Sequence, residues 1–280
     1  MTNLRGEFAL TSRSPAEYIS VQVKARGLAS HLFGKLSPEK PSHELRLGRG
    51  VGVTGRIVRE GKPLPGVVVG LVQASRNSRT FLGPTQIATD ESGRFLFINV
   101  APNDLYYVYG IMSSFKAYGS LRAFEVKACG DGTKTDVGEL EVVPGHRLAG
   151  RIVLSDGKPL PLHTRILVSR GQAWDTQMAE VDEEGRFVVE GMPTEDYSVS
   201  SFIKGYEMSS KNECADPVNP GLLEGRVDRD VSDLTILYEP SGGGERRPPK
   251  HEDPQVPMTM DSSLARRRQL IGGVDPATGR

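Results

Sequence analysis

Only two cysteines and one tryptophan occur in 280 residues, and no apolar run approaches the roughly 18 residues that a membrane-spanning helix needs. Two lone cysteines, Cys129 and Cys214, cannot build a disulfide framework or a cysteine-based metal site. They fall at comparable places in two halves of the chain, which argues against a bond between them, so two free, partly buried thiols are expected. Charge of one sign is also missing: Lys+Arg and Asp+Glu are both 35, so no whole-chain field draws in nucleic acid or an anionic membrane. The five histidines, His31, His43, His146, His163 and His251, are scattered. None forms the pair on one helical face, with a glutamate, that a zinc peptidase uses. Met1–Glu7 has no apolar segment of the kind that begins a secretory signal. A sustained 3.6-residue apolar period is absent throughout, which removes amphipathic helices from the fold.

What the chain does have is repetition. Arg56-Ile-Val-Arg-Glu-Gly-Lys-Pro-Leu-Pro65 returns as Arg151-Ile-Val-Leu-Ser-Asp-Gly-Lys-Pro-Leu-Pro161, with one residue inserted in the turn. Asp90-Glu-Ser-Gly-Arg-Phe95 returns as Asp182-Glu-Glu-Gly-Arg-Phe187. Blocks that recur in the same order at nearly the same spacing mean one structural unit used twice. A third, N-truncated copy is expected in residues 1–50, where Gly6-Glu-Phe8 precedes Pro15 and Tyr18 much as Gly93-Arg-Phe95 precedes Pro102 and Tyr106. On this reading the units are 1–50, 51–145 and 146–240, and any signal peptide lies upstream. From Ser241 the chain turns polar and Gly/Pro-rich, so 241–280, with Arg266-Arg-Arg268, is expected to be a disordered tail.

Within each unit the pattern is that of strands. Val51, Val53, Gly55 and Ile57 share one face while Thr54 and Arg56 share the other, a period of two. Asp90-Glu-Ser-Gly93 and Asp182-Glu-Glu-Gly185 read as tight turns, the aspartate accepting bonds from the turn's own amides and the glycine taking a positive φ. Leu105–Ile111, Leu121–Lys127 and Val137–Val143 are expected as strands. In the second copy Leu148–Leu154, Thr164–Ser169, Gln177–Val181, Arg186–Val189, Tyr197–Ile203 and Leu234–Tyr238 follow. About seven short strands per unit, with turn signals between, predict an all-β chain of tandem Ig-like or transthyretin-like β-sandwiches.

The units G-R-[IV]-V-x(2,3)-G-K-P-L-P, then D-x-x-G-x-F, a proline and a tyrosine resemble the carboxypeptidase regulatory-like family. Those are transthyretin-like sandwiches related in shape to Cna B-type and starch-binding-like domains. Gly55, Gly61, Pro63, Asp90, Gly93, Phe95 and Pro102 carry the match in one copy. Gly150, Gly157, Pro159, Asp182, Gly185, Phe187, Pro193, Tyr197, Gly205 and Tyr206 carry it in the other. The resemblance covers residues 1–240 and marks a fold more than an activity. It implies tandem extracellular, periplasmic or envelope modules without catalysis of their own.

The chemical motifs read mostly as scaffold. Gly50-Val-Gly-Val-Thr-Gly55 matches G-x-G-x-x-G, but β-branched residues and prolines follow where a dinucleotide site needs a helix. The carboxylates beside the two turns fall short of the roughly six to eight oxygens of a calcium site. Lys62 and Lys158 lie in turns, so no buried lysine–asparagine isopeptide triad is visible. No catalytic residue, metal ligand or cofactor is therefore assigned. The structural turn residues are Asp90, Gly93, Asp182 and Gly185. The candidates for a carbohydrate platform are the loop residue Trp174 and the strand residues Tyr107 and Tyr109, although the first copy has no tryptophan at the matching position. The chain is expected to be a non-enzymatic spacer, adhesion or interaction module, with other protein domains or a cell-surface polysaccharide as partner. The alternatives are a carbohydrate-binding module using aromatics near Trp174, or an accessory domain of a larger peptidase.

Overall fold

The computed structural model describes residues 2–11, 13–75, 82–215 and 221–241; the expected tail lies outside them apart from Ser241. Strands make up nearly all of the regular structure, and the chain is an all-β array. An N-terminal hairpin, β1 (Ile19–Val23) and β2 (His31–Leu36), pairs antiparallel. The first full sandwich follows with β3 (Val51–Arg59), β4 (Lys62–Pro63), β5 (Val68–Gln73), β6 (Thr85–Ala88), β7 (Arg94–Val100) and β8 (Leu105–Gly110). A single helical turn, α1 (Met112–Phe115), leads to β9 (Phe124–Lys127) and β10 (Lys134–Glu141). The second sandwich comprises β11 (His146–Leu154), β12 (Arg165–Arg170), β13 (Thr176–Glu180), β14 (Arg186–Met192), β15 (Glu195–Ser201), β16 (Tyr206–Met208), β17 (Leu223–Val227) and β18 (Val231–Pro240).

Both sandwiches have one topology. In the first, β3 lies between antiparallel β7 and parallel β10, facing a sheet ordered β6-β5-β8-β9. In the second, β11 lies between antiparallel β14 and parallel β18, facing a sheet ordered β13-β12-β15-β17. The alternation read from the sequence decides which residues meet. Val51, Val53, Ile57, Phe95, Phe97 and Val108 fill one core, and Leu148, Ile152, Phe187, Val189, Val199 and Ile236 fill the other. Gly55 falls on the inward face of β3, where only a glycine fits, because a Cβ there would stand 2.6 Å from Val137 Cγ2 and 2.8 Å from the Phe95 ring.

The repeated aromatics are tied down alike. The Tyr106 hydroxyl donates to the Ala101 carbonyl (3.1 Å) and the Tyr197 hydroxyl to that of Pro193 (2.8 Å). Burial pushes both phenols well above their ordinary range, as expected for buried hydroxyls fixed to upstream backbone.

Some elements differ from expectation. The strand expected from Leu121 begins at Phe124, because Ser120 pairs with Val143 and the amide of Ala123 is held by Glu195. Short β16 and β17 and the turn α1 had no sequence signal strong enough to mark them. Cys129 is exposed, not partly buried as expected, Cys214 is half-buried, and the two are not joined by a disulfide.

Candidate functional site at the joint between the sandwiches

The Asp-x-x-Gly turns are scaffold in their geometry. Asp90 Oδ1 accepts from the amides of Ser92 and Arg94 at 2.9 and 2.8 Å, and Asp182 Oδ1 accepts from Arg186 N at 2.7 Å. Gly93 and Gly185 close the turns at φ 73° and 81°. The Asp182 carboxyl is held below its ordinary range, chiefly by the Arg186 amide. Among the described residues, no three His, Cys, Asp or Glu side chains converge in a way that could hold a metal ion.

Convergent polar chemistry lies instead where the sandwiches meet, and Arg170 is its centre. This residue ends β12, a strand whose preceding inward residues are Ile166 and Val168, so the backbone carries a guanidinium to the end of an apolar column. Glu195 opens the neighbouring β15, two residues before the anchored Tyr197. The pairing of Arg170 with Tyr197 across the ladder sets the two side chains next to each other. The result is a two-point ion pair, Nε to Oε2 at 2.9 Å and Nη2 to Oε1 at 2.7 Å. The Arg170 side chain is 0% exposed and that of Glu195 6%. Burial opposes the Arg170 charge, but the bonds to Glu195 and the nearby Asp175 outweigh it and raise its pKa.

These groups then reach across into the first sandwich. Arg170 Nη1 donates to the Gly110 carbonyl at 2.6 Å, at the end of β8, and Nη2 to the Leu121 carbonyl at 3.2 Å. Glu195 Oε1 accepts from the Ala123 amide at 2.5 Å. Asp175 Oδ2, itself 3.7 Å from Arg170 Nη1, accepts from the Met112 amide at 2.8 Å. Burial raises the Asp175 carboxyl above its ordinary range, against the opposing pull of that amide and of Arg170. Apolar groups interlock around the charges: Met112 of the first sandwich is buried in the core of the second, and Ala173 of the second packs with Val72 and Tyr109 of the first. Between them the linker runs so close that a Cβ on Gly145 would stand 2.7 Å from the Cα of Gly191. A buried ion pair with every charge answered by hydrogen bonds specifies one arrangement, because displacing either partner strands a charge away from water.

The candidate platform residues are brought to this same joint. Trp174 is 48% exposed on the 171–175 loop, its carbonyl accepting from the Tyr109 hydroxyl at 3.2 Å. Tyr109 is fully buried, with the Arg170 guanidinium carbon 5.6 Å from its ring centroid, and so is not part of a solvent-facing platform. It sits on the face of β8 opposite Tyr106 and Val108, outside its own core, and is buried because the next sandwich covers that face, which the first unit's sequence does not disclose. Tyr107 is partly buried beside it. Arg170, Asp175 and Glu195 were not singled out from sequence, because their partners in the first sandwich lie 49 to 72 residues away. A signal did exist: Gln73 ends β5 and Asp104 stands two residues before Tyr106, so each copy carries a polar side chain and an acid at matching places.

No protein-family model and no curated protein matches the chain. Among solved structures, GBS52, the minor pilin of Streptococcus agalactiae, aligns with 68% of this chain and 95% of its own, at 16% identity and a TM-score of 0.34. A streptococcal ancillary pilin aligns with 78% and 74%, at 13% identity and a TM-score of 0.31. The shaft pilin SpaA from Lactobacillus rhamnosus GG aligns with 69% and 98%, at 14% identity and a TM-score of 0.26. At these scores the likeness brings no activity to this chain. The carboxypeptidase regulatory-like resemblance has no family match behind it, while its coarser part, the β-sandwich build, stands on the chain's own sheets.

Proposed function

We propose that the chain is a non-enzymatic spacer whose two full sandwiches are locked into one rigid body, in a surface or envelope protein. The observation that carries this reading is the Arg170 guanidinium, which is out of contact with water and bonded to both sandwiches at once. A joint made to bend would keep its charges at a solvated rim, where they exchange partners with water at little cost. Here reorientation would break a buried ion pair and withdraw Met112 from the second core. A fixed angle between modules suits a part that holds other domains at a set distance.

The two native thiols allow a direct test, because Cys129 lies in the first sandwich and Cys214 in the second. Spin labels on both are expected to give a single narrow distance distribution by pulsed electron resonance. A broad distribution would remove the rigid-body reading. The carbohydrate reading retains one exposed ring, Trp174, and glycan binding abolished by Trp174→Ala would revive it.

A further inference from the structure

The joint has a counterpart one module earlier. Val21 pairs with Phe33 in the hairpin as Val108 pairs with Phe124 in the first sandwich, so Gln22 stands where Tyr109 stands under the Arg170 guanidinium, and the exposed Tyr18 is not the counterpart of the buried Tyr106. The amide of Ala29 donates to the Gly48 carbonyl (2.8 Å) as that of Ser120 does to Val143 (2.7 Å), so Ser30 stands where Leu121 does. Gly110 and Leu121 supply the two carbonyls that Arg170 grips. On the other side, Gln73 replaces Arg170 and Asp104 replaces Glu195, and the pair is kept: Gln73 Nε2 donates to Asp104 Oδ2 at 2.8 Å.

What differs is the reach across. Gln73 is buried, and its Oε1 accepts from the Leu82 amide within its own sandwich. Among the described residues, no hydrogen bond or ion pair joins residues 19–36 to residues 51–143. A cavity of about 320 Å³ lies between the hairpin and the first sandwich instead. Its walls include Gln22, Ser30 and Gln73, the three positions whose counterparts meet at the locked joint. A glutamine side chain is shorter than arginine and neutral, and its amide is bonded to Asp104 and Leu82 of its own sandwich, so no hydrogen bond of Gln73 spans the gap.

We infer that the residue ending the strand next to the anchored tyrosine decides how each joint behaves: Arg170 locks its joint, and Gln73 leaves the one before it as a hinge. The array is then a rigid two-sandwich body carrying a movable N-terminal module. This inference deepens the spacer reading and rests on it, and the two can fail separately.

The test exchanges the two residues in the full chain. Labels on Ser20→Cys and Cys129, with Cys214→Ser, report on the hinge, since Ser20 is exposed on β1; labels on the native thiols report on the lock. The Ser20–Cys129 distribution is expected to be at least twice as wide as the Cys129–Cys214 one, and Gln73→Arg is expected to narrow it toward the width of the lock. Arg170→Gln is expected to broaden the Cys129–Cys214 distribution. A wild-type Ser20–Cys129 distribution as narrow as the lock overturns the inference, even if Gln73→Arg does not fold. A folded Gln73→Arg protein, by circular dichroism, with unchanged width also overturns it. A broad Cys129–Cys214 distribution in the wild type overturns the spacer reading beneath it.

Discussion

At the scale of single residues, Arg170 and Asp175 make opposite predictions. Arg170→Ala leaves Glu195 and Asp175 buried with no cation between them, and should destabilise the protein by about 3–5 kcal/mol, read as a lower urea midpoint. Glu195 keeps the Ala123 amide and Asp175 the Met112 amide, but neither donor replaces a full positive charge. Asp175 itself carries a penalty. Its carboxyl is raised above the ordinary value of 3.8, first by burial, so the folded state holds the proton more tightly than the unfolded state does. That penalty is fully present above the folded pKa and disappears as pH falls to the unfolded value. Asp175→Asn keeps an oxygen for Met112 N and removes the charge. The variant should be at least as stable as the wild type at pH 7 and lose that advantage on acidification toward pH 4. Urea unfolding of both proteins at the two pH values checks this, because the surface carboxylates are common to both and cancel in the difference. Neither role could be read from sequence. A polar residue ending an apolar strand resembles a solvated strand terminus until the next module covers it.

At the scale of elements, much more was legible, since local physics acts over a few residues. The period of two in Val51–Ile57 put valines and isoleucine inward, and Phe95 and Phe97 with them, as the buried strands β3 and β7 have it. Phe95→Ala or Phe187→Ala should therefore lose about 3–5 kcal/mol of stability, seen as a lowered thermal midpoint. The turns make a sharper case. Gly93 sits at φ 73°, and a Cβ there would stand 2.5 Å from the Ile57 carbonyl oxygen. Gly93→Val combines backbone strain of about 1–3 kcal/mol with that collision, and should lower the midpoint more than Ser92→Val beside it, whose side chain is exposed. Elements whose cause is tertiary were not legible. The turn α1 buries Met112 in the neighbouring sandwich and Phe115 in its own, and four residues are too few to show a period. Strand β9 starts late because residues before it serve the joint.

At the scale of the whole molecule, the question is whether two sandwiches with separate cores unfold as one. Each core alone has the build of a domain that could melt independently. The joint sets the coupling: if the second sandwich melts, Met112 loses its cover and the Gly110 and Leu121 carbonyls lose their donor. If the first melts, Arg170 and Glu195 keep each other but lose the surrounding protein that excludes water. Melting either sandwich thus removes favourable burial from the other, which is the condition for cooperative unfolding. Scanning calorimetry of the full chain should show one transition for residues 51–240, with calorimetric and van't Hoff enthalpies in agreement. Arg170→Gln keeps a bond to Glu195 while weakening the grip on the first sandwich, as Gln73 does at the joint before it. It should split the transition in two, the second sandwich melting apart from the first. A single sharp transition persisting in Arg170→Gln would mean that the apolar interlock of Met112, Ala173 and Tyr109 couples the sandwiches without the ion pair. The guanidinium would then set their angle but not their cooperativity.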